Sequence, residues 1–342
     1  MAKPLLLLDQ YFRLVEELFR PAAYAQFCKL TEVIGGKNRP MPRSEFDTNI
    51  REAQFLIAAR PTLSAEQIAD APNLRAIIEV SGAFNPGLDY NACFERGIEV
   101  LSSMPGFRFA VAEMAVGMMI AGARGLVAEH ENFRSGKENW VADMPGRDYS
   151  LYQQTIGFVG YGMIARECHR LISAFNPTVR AYDPWLESSN SELADVELAS
   201  LETVLRNSNI LVVAASPTDE NRGLIGRERI RLLPDGALVV VISRTHLVDF
   251  PALMAEAKAG RIKVATDVFP VEPVAADDAL RQHPNAIFSP HRAAAVHGGR
   301  HPIGDMIVAD IEAMLDGRPE RQLKPADPAR VVHMVNAYGT TS

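Results

Sequence analysis

Short apolar runs separated by polar, helix-length stretches recur along the whole chain. In the first third, runs at 5–8, 31–34, 53–58, 74–80 and 98–101 predict strands, and segments at 11–27 and 64–69 predict helices, the second opening on Ser64 as an N-cap. The rhythm resumes later, with strands expected at 156–159, 179–182, 210–214, 237–242, 262–266 and 286–289 and helices at 201–206, 227–232, 251–259 and 303–315. Strand alternating with helix implies parallel sheets joined by crossover helices, an α/β chain. Between the two series lies an apolar stretch at 110–128, reached through an expected loop at 102–107 and followed by a charged segment at 129–154 that carries Trp140. That segment reads as an arm or long connection at a subunit contact, and the Pro- and polar-rich remainder after 319 as a tail.

Composition narrows this picture. With 342 residues, 47% of them hydrophobic, the chain is long enough for two domains. The stretch at 110–128 approaches membrane-span length, yet Glu113 and Arg124 interrupt it and Gly117, Gly122 and Gly125 weaken an isolated helix, so a core helix is expected. A net charge of -7 and a pI near 5.7 argue against a nucleic-acid or anionic-membrane partner. Cys28, Cys93 and Cys168 form no C-x-x-C pair and read as reduced thiols of a cytoplasmic protein. The leading apolar run at 5–8 is too short for a signal peptide and fits a buried strand.

The most informative stretch is 155–183. A buried strand runs into Gly160-Tyr161-Gly162-Met163-Ile164-Ala165, a helix follows, and a second strand closes on Asp183. In this dinucleotide fingerprint Gly160 permits the tight turn, Gly162 admits a pyrophosphate, and Ala165 lets helix approach strand. The N–H groups opening the helix at Met163 and Ile164 face the phosphates. A carboxylate at Asp183 accepts hydrogen bonds from the ribose hydroxyls and repels a 2′-phosphate, so the expected cofactor is NAD.

The later strands each leave special residues at their carboxyl ends: Ser216-Pro217, Ile242-Ser243-Arg244, Asp267 and His291. In a doubly wound sheet those ends converge on one crevice. Arg244, after a very apolar strand, either pairs with an acid or awaits an anionic ligand. Asp267 is a cap, a turn residue or a contact to the cofactor amide, and Glu272, between prolines, is a solvated turn charge or a partner for His291. Joined, they make a mechanism: His291 donates a proton to a 2-keto acid as hydride arrives, Glu272 holds the imidazole, and Arg244 grips the carboxylate.

These residues resemble the D-isomer-specific 2-hydroxyacid dehydrogenases, a family that includes phosphoglycerate, glyoxylate/hydroxypyruvate and D-lactate-type enzymes. The matching stretches are GYGMIA with Asp183, SRTHLVDFPAL with Arg244, DVFPVEP with Asp267 and Glu272, and SPHRAA with His291. The resemblance implies a Rossmann NAD-binding domain, 108–292, inserted in a flavodoxin-like substrate domain, 1–107 with 293–330, followed by a tail at 331–342. It further implies a homodimer formed through the cofactor domain, a helix linking the two domains, and catalysis by Arg244, Glu272 and His291. The substrate would be a small 2-hydroxy or 2-keto acid met by Phe84, Asn85 and Gly87 as well as Arg244 and His291. The chain departs from the family pattern at Val241, Thr245, Ala294 and Ala215. A further departure, Pro86, has no N–H for the substrate carboxylate, so either Gly87 and Arg244 suffice or the substrate sits differently.

Two other readings are an NADH-responsive binding protein without catalysis on the same scaffold, against which the complete Arg244, Glu272 and His291 set speaks, and, from the fingerprint alone, an S-adenosylmethionine-dependent methyltransferase, which has no need of His291. His297 and His301 have zinc-like spacing, but Gly298, Gly299 and Pro302 argue against a rigid ligand face, and no metal is expected. Arg292 and Arg300 either border the site or are solvated.

Overall fold

The structure, a computed structural model, describes residues 3–138, 140–141, 148–186 and 195–331. It divides into two compact units, one from the described parts of Met1–Arg108 and Ala294–Ser342, the other from those of Phe109–Ala293.

The first unit is built on strands β1 (Leu5–Asp9), β2 (Glu32–Gly35), β3 (Phe55–Ala58), β4 (Ala76–Glu79) and β5 (Glu99–Ser102), in the order β5-β4-β3-β1-β2 and all parallel. Alternate side chains leave opposite faces of each strand. Leu6, Leu8, Phe55, Ile57 and Ile78 therefore join Phe27, Ile303, Ile307 and Ile311 in one core, while Leu7, Leu56 and Ile77 join Phe46, Ile68, Phe84 and Cys93 in the other. The helix supplying Ile303, Ile307 and Ile311, His301–Leu315, comes from the far end of the sequence. This is the doubly wound, flavodoxin-like order, with its switch point between β1 and β3.

The second unit carries β6 (Thr155–Val159), β7 (Thr178–Tyr182), β8 (Glu197–Leu198), β9 (Ile210–Val213), β10 (Leu238–Val241), β11 (Lys263–Thr266) and β12 (Ala286–Phe288). Their order is β12-β11-β10-β9-β6-β7-β8, every pair parallel. Strand order reverses between β6 and β9, as in a Rossmann sheet. The central strands β9 and β10 are buried at every position, which is why they read as unbroken apolar runs. The expected fold class is the one observed.

Several element boundaries differ from expectation. The helix expected at 11–27 is two, Val15–Leu18 and Pro21–Leu30, because the residue before Pro21 is driven out of helical geometry; Arg20 has ψ 151°. The expected loop at 102–107 is mostly helix, since the long apolar helix begins at Met104 and runs to Ala123. This helix is long and apolar enough to cross a membrane by length and composition, and half of its most apolar stretch is buried inside the protein. Gly125 in the left-handed region (φ 59°) then breaks the chain before a second helix, Leu126–Ser135, where an arm was expected. The rest of that arm lies partly outside the described residues. Helices Arg43–Asn49 and Tyr90–Glu95 and strand β8 lacked a strong periodic signal. The segment after 319 is more than a tail: β13 (Lys324–Pro325) pairs antiparallel with β5, and the Asp310 carboxylate accepts the N–H groups of Gln322 and Leu323 just before it. The tail expected at 331–342 lies, but for its first residue, outside the described residues.

Candidate active site

Every site residue expected in the second unit lies at or beyond the carboxyl end of one of its parallel strands, so the sheet places them along one edge. Gly160 to Gly162 follow β6, Asp183 follows β7, Ser216 and Pro217 follow β9, Ile242 to Arg244 follow β10, Asp267 and Glu272 follow β11, and His291 follows β12.

The turn after β6 is shaped for a dinucleotide. Gly160 has φ 85°, and a Cβ there would collide with the backbone of Ala215, whereas Gly162 has nothing within 4 Å of where a Cβ would stand. The first glycine is thus required by the fold, and the second leaves open space. Helix Met163–Ile172 begins at Gly162 with no side-chain cap and no acid in its first turn, so its positive end is available to phosphate. Ala165 is fully buried against the sheet. Asp183 is fixed from both sides, Oδ2 accepting the Tyr161 N–H at 2.9 Å and Oδ1 the Trp185 N–H at 3.1 Å. Tyr161 is itself anchored, its hydroxyl 2.6 Å from Nδ1 of His169 and its ring edge-on to Phe158. The residues present fit NAD: a glycine cradle and helix end for the pyrophosphate, and a carboxylate for the ribose.

The other end of the sheet edge carries acid–base chemistry. Nδ1 of His291 lies 2.6 Å from Oε2 of Glu272, while Oε1 of Glu272 accepts the Phe269 N–H at 2.9 Å. With Nδ1 engaged, Nε2 is the nitrogen left to exchange a proton with a substrate. His291 has φ 50°, a left-handed conformation costly for a residue with a Cβ. The cost is offset by Asp267, which is 1% exposed. Its main-chain carbonyl accepts the His291 N–H, Oδ1 accepts the Ser289 hydroxyl at 2.5 Å and the Arg292 N–H at 2.8 Å, and Oδ2 accepts the Ala293 N–H at 2.9 Å. Asp267 is therefore the buried anchor of the loop that presents His291, a role sequence reasoning missed; the only signal was an acid closing an apolar strand two dozen residues before the histidine. On the neighbouring strand end, Arg244 donates through Nη1 to the Ser243 carbonyl at 2.7 Å, and the Ser243 hydroxyl donates to Val213 O at 3.2 Å. The Ser216 carbonyl accepts from Asn221.

In the first unit the expected substrate loop is differently disposed. Phe84 is 1% exposed, its ring edge-on to Tyr90 inside the core, so it serves packing and corrects the expected substrate contact. The Gly87 N–H is taken by Oδ1 of Asn85 at 3.2 Å, and the N–H groups of Ser81 and Gly82 by Glu79. Among the described residues no cluster of three or more His, Cys, Asp or Glu could hold a metal ion.

Residues 116–293 match the model of the D-isomer specific 2-hydroxyacid dehydrogenase NAD binding domain. The chain belongs to the D-isomer-specific 2-hydroxyacid dehydrogenase family. It is 30% identical to a glyoxylate reductase of Thermofilum pendens over 82% of this chain and 84% of that protein. It is 31% identical to a D-3-phosphoglycerate dehydrogenase of Archaeoglobus fulgidus over 82% of its own length and 53% of the relative, so it spans about half the length of that protein. Among solved structures, a phosphoglycerate oxidoreductase from Rhizobium etli superposes with a TM-score of 0.84 at 32% identity, covering 95% of this chain and 99% of that one. Membership makes the second unit an NAD-binding Rossmann domain, in keeping with its glycine turn and with Asp183.

Proposed function

We propose that this chain is an NAD-dependent oxidoreductase interconverting a D-2-hydroxy acid and its 2-keto acid, with His291 as the acid/base group. The observation that carries the reading is the 2.6 Å pair of His291 and Glu272 at the edge of an NAD-binding sheet. NAD, when bound, supplies or accepts the hydride. In reduction, negative charge grows on the carbonyl oxygen, and Nε2 of His291 delivers a proton to it. Glu272, itself held by the Phe269 N–H, keeps the ring in register and balances the imidazolium charge during the exchange. Arg244 supplies a planar cation for the substrate carboxylate, and Asp267 keeps the histidine loop in place. In oxidation the same imidazole takes the proton.

The test is NADH consumption against a panel of 2-keto acids, with His291→Ala as control. Turnover by the wild type, reduced roughly 10²- to 10⁴-fold in the variant, supports the reading. NADH binding without turnover of any keto acid would reassign the chain as a binding protein. We also infer a homodimer in a reducing, cytoplasmic compartment. The exposed apolar side chains Leu126, Phe133 and Trp140 support the first, and the free thiols Cys28, Cys93 and Cys168 the second. Light scattering reads the mass directly.

A further inference from the structure

Three guanidinium groups gather in the first unit. Arg13 follows β1, Arg60 follows β3, and Arg300 precedes helix His301–Leu315. Strands β1 and β3 flank the point where that sheet reverses its order, the place where open α/β sheets bind ligands. The guanidiniums of Arg13 and Arg60 lie over the same Phe12 ring, at 4.7 and 5.1 Å from its centre, and Arg13 also lies 5.9 Å from the centre of Phe107.

These cations are short of partners. Among the described residues Nε of Arg13 and Nε of Arg300 are both buried without a hydrogen bond. Arg300 reaches Glu17 at 3.1 Å, whereas Arg13 and Arg60 have no carboxylate within ion-pair distance among the described residues. The other nearby acid, Glu79, is fully occupied by Ser81, Gly82 and Ser102. Burial, then the charge of Arg300, push Arg13 down to about 10 against the opposing pull of Glu17 and Glu79, with Arg60 lowering it further. A half-buried cation whose buried Nε makes no hydrogen bond is costly to the apoprotein, and an anion relieves that cost. The neighbouring loop has little to offer an anion: Pro86 lacks an N–H, and those of Ser81, Gly82 and Gly87 are spent inside the protein.

We propose that Arg13, Arg60 and Arg300 form an anion site at the carboxyl edge of the first unit's sheet, for a phosphate or carboxylate group. The group is either a second anionic substituent of the substrate or a free anion. The first source rests on the dehydrogenase reading above, whereas the site itself does not. A planar guanidinium fork matches both chemistries.

Two measurements test it. Inorganic phosphate is titrated calorimetrically into wild type, Arg13→Gln and Arg60→Ala; kcat/KM is then compared for a phosphorylated or dicarboxylic keto acid and for a keto acid of similar size lacking the second anion. Arg60 is exposed, so Arg60→Ala folds even if Arg13→Gln does not. Phosphate binding weakened about tenfold or more in the variants supports the site. If the preference for the doubly anionic keto acid also falls about tenfold in Arg60→Ala, the source is the substrate; if that preference stays, the source is a free anion. Phosphate that fails to bind the wild type, or binds the variants equally well, overturns the site. Phosphate binding that depends on the arginines in a protein that turns over no keto acid leaves the site standing and removes the dehydrogenase reading instead.

Discussion

His291 and Glu272 are held 2.6 Å apart by groups belonging to neither: the Phe269 N–H fixes the carboxylate, and Asp267 fixes the loop that carries the imidazole. Glu272→Gln keeps a hydrogen-bonding group of the same size but removes the charge. Expected is a fall in kcat of roughly tenfold to a hundredfold, smaller than that of His291→Ala, with KM for the keto acid little moved. Steady-state kinetics of the two variants decide it; a Glu272→Gln enzyme as fast as wild type would remove the carboxylate from the mechanism.

Asp267→Asn should cost both stability and turnover. An amide turned toward the N–H groups of Arg292 and Ala293 leaves at least one buried donor without an acceptor, worth about 1–3 kcal/mol. Thermal denaturation should show the loss, and kcat should fall because His291 no longer has its loop pinned in the left-handed conformation. Normal kcat in a destabilised Asp267→Asn would confine Asp267 to folding.

The two fingerprint glycines should fail in different ways. Gly160→Ala forces a Cβ into the backbone of Ala215 at a positive φ, so it should lower the melting temperature as well as abolish NADH binding. Gly162→Ala meets nothing, so the protein should melt as wild type does while its NADH affinity, read by fluorescence titration, drops. Equal melting and binding losses in both would contradict the cradle.

Asp183→Ser removes the carboxylate that repels a 2′-phosphate. The ratio of kcat/KM for NADH over NADPH should fall by roughly tenfold to a hundredfold, mainly through a higher KM for NADH. An unchanged ratio would show that discrimination lies elsewhere.

Glu79 is buried and titrates above the ordinary carboxylate value because burial outweighs its hydrogen bonds to Ser102, Ser81 and Ala83. A carboxyl whose folded-state pKa is raised stabilises fully below its unfolded value, about 4.3, and loses that contribution as pH climbs through the folded value. Glu79→Gln removes the titration. Its urea midpoint should therefore gain on that of wild type between acid and neutral pH. A difference between the two midpoints that stays flat across that span would show that Glu79 does not govern it.

Much of this was legible in the chain because the signals are local. Unbroken apolar strands, the glycine turn and Asp183 each declare themselves within a few residues, and Arg244, Glu272 and His291 stand where parallel strands end. What escaped depends on distance in sequence. Asp267 holds residues 289–293 from another strand, and Phe84 sits beside a glycine-rich turn that reads as a binding loop until the packing of its ring is seen. Arg13, Arg60 and Arg300 have nothing in common along the chain and meet only through the fold. Residues 324–325 add a strand too short for any periodicity to announce.

The return of helix His301–Leu315 and β13 to the first sheet sets an order on synthesis. The residues of the NAD-binding unit are contiguous, so all of them have left the ribosome while the opening hundred residues still lack the apolar faces of Ile303, Ile307 and Ile311 and the strand that covers the rim of β5. The nascent chain thus carries a finished nucleotide-binding module while its first unit is still uncovered, and the interval until helix His301–Leu315 emerges is when that uncovered half is most open to chaperones or to self-association.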